Sequence, residues 1–277
     1  MKLLIQLLAV GAVAAVGGGI TQAVTWSTLP TLGLGLASAV LALFVYAFVV
    51  GRTERRQVDE LAREGALPAL GRGALIGFAM FGAVIVNIAF LGDYEIDGFG
   101  SLTGPIALVG FMAAAAVTEE LLFRGVLFRI IEKRIGTWWS LSLTGLVFGL
   151  MHLGNENATF WGAIAIAIEA GGMLGAAYVA TRSLWLPIGL HFAWNFAGAG
   201  IFGTAVSGND TPKGLLDGVT SGPTLVSGGA FGPEASLYSV VFGALLTVAF
   251  LRLAHRRGNL VPRRRRDRAA ATASLAQ

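Results

Sequence analysis

Two adjacent carboxylates, an arginine, two histidines and an asparagine sit inside apolar stretches at one-turn spacing. The first group is Glu119-Glu120-Leu121-Leu122-Phe123-Arg124, the second Phe148-Gly149-Leu150-Met151-His152, the third His191-Phe192-Ala193-Trp194-Asn195. Residues four apart share a helix face, so Glu120 can pair with Arg124, and His191 projects beside Asn195. Glu119 is turned by about 100° from Glu120. The arginine therefore neutralises one carboxylate and leaves the other free. A free carboxylate with an imidazole is a general-base pair that can activate water. A second histidine and an asparagine on one face can donate hydrogen bonds to the oxyanion of a tetrahedral intermediate. These parts suffice for amide hydrolysis without a serine or cysteine nucleophile, and the chain has no cysteine at all.

Other chemistry uses the same residues. Glu119, His152 and His191 match a three-ligand catalytic zinc site in type, although the compact H-E-x-x-H spacing is absent. Cofactor content thus stays open between zinc and none. The cluster also reads as a buried ion pair and inter-helix hydrogen bonds that only orient a bundle, as in a non-catalytic immunity or scaffold protein. Proton-relay transporters use intramembrane Glu and His too, but no inverted repeat supports that reading. Glu169, apart from the three groups, is expected to be structural, pairing with Arg182; the alternative is a proton or substrate partner facing the same cavity. His255, among Arg252, Arg256 and Arg257, is expected to be solvated.

The elements that must position these side chains follow from composition. Of 277 residues, 55% are hydrophobic and 13% charged, about half the charge of a soluble domain. Such a chain cannot cover a globule with polar surface, which excludes an ordinary soluble enzyme and a disordered chain. The 39 glycines fit close helix packing in lipid. About 20 apolar residues cross the hydrocarbon core, and eight stretches meet or approach that length: 3–24, 31–50, 73–91, 104–128, 138–154, 160–180, 184–203 and 237–254. The expectation is an all-α polytopic bundle of about eight transmembrane helices. Lys2, an apolar run, and Thr21 and Ala23 also fit a cleaved secretory signal, which would leave seven spans.

With the N-terminus cytoplasmic, eighteen of the 20 basic residues fall in inside segments, while Asp93, Glu95, Asp97, Glu156, Asp210, Asp217 and Glu234 fall outside. Both termini are then cytoplasmic. Residues 1–255 form the membrane domain. Residues 256–277, with Arg263 to Arg266 consecutive, form a basic disordered tail drawn to anionic headgroups. The charge excess is no nucleic-acid signal here. Residues 52–72 read as a short cytoplasmic helix ending at Pro68, and 204–236 as a long outside loop without regular structure.

Glu119-Glu120-x-x-x-Arg124, Phe148-x-x-x-His152 and His191-x-x-x-Asn195, in that order on successive membrane helices, resemble the CPBP family. This group comprises CAAX prenyl endopeptidases and bacteriocin-processing or bacteriocin-immunity proteins, also called the Abi family. The resemblance covers roughly 100–200, with Arg182-Ser183-Leu184-Trp185-Leu186-Pro187 also similar, and no motif position departs from the pattern. It implies an eight-helix intramembrane endopeptidase, with Glu119 and His152 activating water and His191 and Asn195 stabilising the oxyanion. Family descriptions as metalloproteases and as glutamate-dependent enzymes leave the metal open. The partners implied are a membrane-tethered peptide or protein and the bilayer. The Ala/Gly/Arg-rich composition points to a bacterial cell membrane.

Helix depth tests the arrangement at about 1.5 Å per residue. His191 lies about 10 Å in from Leu184, Glu119 about 15 Å from Arg129, and His152 about 21 Å from Trp138. The last is deeper than the others, a difference that tilt or a cytoplasmic start to the fifth span would reconcile. The topology itself is testable by reporter fusion. Tags at residues 1 and 277 are expected to report the cytoplasm and a tag near Asn209 the outside; a cytoplasmic signal at 209 removes the eight-span arrangement.

Overall fold

The computed structural model describes residues 1–24 and 26–263, except the side chain of Gln22. Apolar sequence without strand alternation satisfies its backbone within helices, as lipid demands, and helical columns occupy all eight expected stretches. The first three are α1 (Lys2–Ala23), α2 (Thr28–Glu54) and α3 (Ala66–Phe90). The fourth joins α4 (Thr103–Glu120), a π-helical segment (Leu121–Phe128) and α5 (Arg129–Ile135). After Gly136 comes α6 (Thr137–Met151), closed by a 3-10 turn (His152–Gly154). The sixth column is α7 (Phe160–Ile166), a π-helical segment (Ala167–Gly172) and α8 (Met173–Thr181). The seventh is α9 (Trp185–Phe196) with π-helical Ala197–Ile201; the short α10 (Thr224–Ser227) precedes α11 (Leu237–Arg256). Six columns are each long and apolar enough to cross a membrane. The α6 and α9 columns are shorter. The protein is an all-α, multi-pass integral membrane protein.

Lipid offers helices little hydrophobic reason to associate, so close packing over small residues carries the bundle. Gly35 on α2 lies against Gly110 on α4 so tightly that a Cβ on Gly110 would sit 2.5 Å from Leu32 Cα. Gly145 and Gly149 set α6 against the sixth column, where a Cβ on Gly149 would strike the Ala163 carbonyl and stand 2.7 Å from Ala167 Cβ. At the end of the bundle that holds the α5–α6 turn, polar groups tie the columns together. Gln6 donates to Thr53 and Glu54, Arg129 reaches Glu54 at 2.7 Å, and Tyr46 donates to Glu60 at 2.6 Å. Burial pushes the Glu60 carboxyl up, but the hydrogen bonds from Arg56 and Tyr46 outweigh it and hold the group below its ordinary value.

Three connecting segments differ from expectation. No helix ends at Pro68: α2 runs on to Glu54, a 3-10 turn covers Asp59–Leu61, and Pro68 lies in the first turn of α3. A first-turn proline forfeits an N–H that has no helical acceptor anyway, so it starts a helix as readily as it stops one. The 204–236 loop is regular in parts. Its strand β2 (Leu216–Thr220) pairs antiparallel with β1 (Tyr94–Phe99), and α10 and two 3-10 turns follow. Tyr94 pins the pair to the seventh column by donating to the Phe202 carbonyl at 2.9 Å. Beyond α11, Asn259 donates to the Val179 and Ala180 carbonyls and Thr137 exchanges hydrogen bonds with Val261. The remainder of the basic tail, 264–277, lies outside the described residues.

Gly149 carries the strictest demand because α6 also carries His152. Gly149→Val adds atoms where the Ala163 carbonyl already stands, and overpacking of this kind costs about 1–3 kcal/mol. The expected outcome is a lower melting temperature of the detergent-extracted protein by tryptophan fluorescence, with no such loss for Gly11→Val, whose Cβ meets nothing within 4 Å.

Candidate active site

Arg124 is the least expected side chain in the bundle, a guanidinium only 3% exposed within a transmembrane column. The structure surrounds it with acceptors. Glu120 lies one turn back at 2.8 Å, and the Ala170 and Gly171 carbonyls stand at 3.0 and 3.4 Å. Both carbonyls belong to the π-helical segment of the sixth column, where the widened turn loosens the regular i→i−4 ladder. The Phe148 ring covers the cation at 4.8 Å from its centroid. Arginine charge is thus met on every side by fixed groups.

Glu120 does more than pair. Its Oε1 also accepts from His191 Nδ1 at 2.9 Å. Phe148 connects the histidines, with its centroid 4.8 Å from the His152 ring and 6.2 Å from the His191 ring. His152 donates Nδ1–H to the Phe148 carbonyl at 2.7 Å. A carbonyl can only accept, so this bond fixes the tautomer and leaves the lone pair of the neutral ring on Nε2. Glu119 is 34% exposed, its Oε2 makes no hydrogen bond, and His191 Nε2 lies 3.9 Å from it.

Glu119, His152, His191, Asn195 and Phe148 all line one cavity of about 370 Å³, with Glu120 and Arg124 behind its wall. The free and the neutralised carboxylate fall as the one-turn spacing requires. Glu119 and His152 line the same cavity and make no hydrogen bond to each other. The mismatch between Glu119 and His152 disappears once the reference point is corrected. Helix α5 continues six residues past Arg129 and turns at Gly136 into α6. Counted from that shared turn, Glu119 and His152 both stand about 24–26 Å up.

The metal alternative requires Glu119, His152 and His191 to converge on a point. Among the described residues no three His, Asp or Glu side chains are so grouped. The donors do not fit a three-ligand zinc centre.

Glu169 neither pairs with Arg182 nor lines the cavity. Arg182 binds Glu132 instead, and Glu169 is buried against Gly243 of α11 with both oxygens unpartnered. Several groups at the site escaped the sequence reading. These are the Glu120–His191 bond, the two π-helical carbonyls, and a stretch of the 204–236 loop (Val206, Ser207, Asn209, Thr211) that closes one end of the cavity. The first is an inter-helix register, which one-turn spacing cannot encode. For the loop, the only signal was its length.

Comparison with known proteins places these residues. Residues 101–197 match the family model described as type II CAAX prenyl endopeptidase Rce1-like. That interval holds all three one-turn motifs and none of α1, α2, α3 or α11. No curated protein and no solved structure matches the chain.

Removing one member of a desolvated ion pair leaves the other uncompensated, at a cost of about 3–5 kcal/mol in buried soluble cases. Arg124→Ala is expected to lower the yield of monodisperse, detergent-extracted protein along with any activity. Normal yield with loss of activity alone would transfer Arg124 from support to chemistry.

Proposed function

We propose, on the family-level support that the 101–197 match gives to a CAAX-type intramembrane protease, that this protein hydrolyses a peptide bond in a membrane-tethered substrate by glutamate-dependent activation of water. The observation that carries the reading is the single cavity that gathers Glu119, His152, His191 and Asn195. Hydrogen bonds to Phe148 and Glu120 fix His152 and His191 and leave Glu119 free.

Glu119 accepts a proton from a water held between it and His152, whose Nε2 lone pair offers the second acceptor. The resulting hydroxide attacks the carbonyl carbon of the scissile bond. Negative charge collects on the carbonyl oxygen, where Asn195 Nδ2–H and His191 Nε2–H donate to it. His191 already donates Nδ1–H to Glu120, so its donor role at Nε2 uses the imidazolium, and carboxylates on both sides suit that charge. Collapse of the intermediate breaks the C–N bond, and the proton taken from water leaves on the amine. Because the candidate zinc ligands do not converge, no step is routed through a metal.

A bacterial cell membrane, a prenylated substrate and the anionic-lipid contacts of the tail belong to this proposal. The first probe is a farnesylated CAAX peptide in proteoliposomes, alongside tethered peptides without the prenyl group.

Groups that act in the transition state cost rate without costing fold. Loss of one oxyanion donor is worth about 10²–10³ in turnover, whereas a side-chain hydrogen bond between membrane helices averages only about 0.6 kcal/mol. Asn195→Leu and Glu119→Gln are expected to insert, purify and still capture substrate, yet cleave it at least a hundredfold more slowly. Wild-type cleavage should survive phenanthroline. Undiminished cleavage by both variants would leave the scaffold reading standing, and loss of cleavage on chelation would restore the metal.

A further inference from the structure

The 204–236 loop carries a carboxylate that its composition gives no reason to bury. Glu234 is 1% exposed. Its Oε1 accepts from Trp194 Nε1–H at 2.8 Å, and its Oε2 accepts from Ser207 Oγ–H at 2.8 Å and from the Ser207 backbone N–H. All three partners are donors, so the site is built for a carboxylate acting as acceptor on both oxygens. Each end of this junction touches the reaction cavity. Trp194 immediately precedes Asn195 on α9. Ser207 lines the cavity itself, and its carbonyl accepts from Asn155 Nδ2–H at 2.6 Å, three residues after His152. Glu234 also borders a small void with His152, His191 and Asn195. Ser207 takes a left-handed backbone conformation with φ 52°, an unfavourable state for a non-glycine residue that needs fixed partners to persist.

We infer that Glu234 is a positioning residue: it clamps the outer loop to α9 and so holds Val206–Asn209 in place as the wall of the cavity along which substrate lies. It reaches the reacting atoms only through Ser207 and Trp194. The inference deepens the endopeptidase reading, and for its kinetic consequence it rests on that reading. The clamp itself does not. Ser236 and Ser239 reinforce it from below, since Ser236 caps α11 and Ser239 Oγ–H donates to the Pro233 carbonyl at 2.7 Å. The peptide bearing Glu234 is thus anchored to a transmembrane helix rather than to the loop it holds.

The absence of cysteine gives a direct test. Val206→Cys places the only thiol of the chain at a cavity-lining position that is 4% exposed. Its labelling by a polar maleimide reports loop detachment with or without catalysis. In that background Glu234→Gln presents an NH2 to donors at Ser207. Hydrogen bonds to a charged group are each worth enough that the labelling rate should rise about tenfold or more. Helicity and monodisperse elution should be retained. On the farnesylated CAAX peptide, Glu234→Gln should raise KM about tenfold while kcat stays within about threefold, because the wall and not the chemistry has moved. A merely structural role would reduce the active fraction, lowering kcat at constant KM. Ser207→Ala, which removes one donor of three, should give the same pattern to a smaller degree, and it decides the matter if Glu234→Gln does not fold. Unchanged labelling in a folded variant overturns the clamp. Absence of any cleavage by wild type overturns the endopeptidase reading, and the labelling result then decides the clamp alone.

Discussion

A guanidinium that cannot reach water must be answered by the protein, and the answer to Arg124 organises this bundle. Insertion scales charge about 2.5–3.5 kcal/mol for an arginine at the centre of a membrane helix, and one carboxylate does not supply all the acceptors its five N–H groups need. Glu120 gives the opposite charge. The sixth column gives main-chain oxygens, and it can do so because a π turn at Ala167–Gly172 lets carbonyls face outward. Phe148 on α6 closes the remaining side. Three columns are therefore registered to one another by a single side chain. Glu120 recruits a fourth through His191 on α9.

That registration explains why adjacent glutamates have unequal fates. Glu120 points at the arginine and is consumed by it. Glu119, a third of a turn away, has no cation within reach except the far nitrogen of His191. The same constraint that stabilises the bundle thus leaves Glu119 outside the ion pair and in the lining of a cavity. A structural pair and a free acid arise from one dipeptide, with no further residue required. The π-helical turn at Leu121–Phe128, which begins right after Glu120, fits this division, since inserted residues in a helix re-aim side chains around them.

Much of this was legible in the sequence because it is encoded within single helices. One-turn spacing pairs Glu120 with Arg124 and aligns His191 with Asn195, and apolar length locates the eight columns, with ends up to seven residues out at Ala66 and Ile135. What was illegible lies between helices. Nothing in Glu119-Glu120 says which residue of α9 stands opposite, so the Glu120–His191 bond could not be read. The depth comparison failed for a similar reason. It counted Glu119 from Arg129, where charge suggested an end, whereas α5 remains helical to Ile135 and the true common reference is the turn at Gly136. The burial of Glu234 was illegible for the same reason, since the donors that hold it, Trp194 and Ser207, come from elsewhere in the fold.

Water is the remaining requirement for the proposed hydrolysis, and the shape of α6 meets it. A helix crossing the full hydrocarbon core would bury His152 among lipid-facing residues with its carbonyl acceptors used up. Helix α6 stops instead at Met151, and the 3-10 turn that follows puts His152 where the helix runs out. Asn155, Ser207, Asn209 and Thr211 make a polar stretch of the lining on the side of the 204–236 loop. The lining from Val13 to Gly18 on α1 and from Phe111 to Ala115 on α4 is apolar. One cavity therefore has polar groups at its loop end and an apolar surface on its helical side, with Glu119 in the same lining. A substrate held by a membrane anchor needs both surfaces at once, and a short helix opposite a long one is the simplest way for a bundle to provide them.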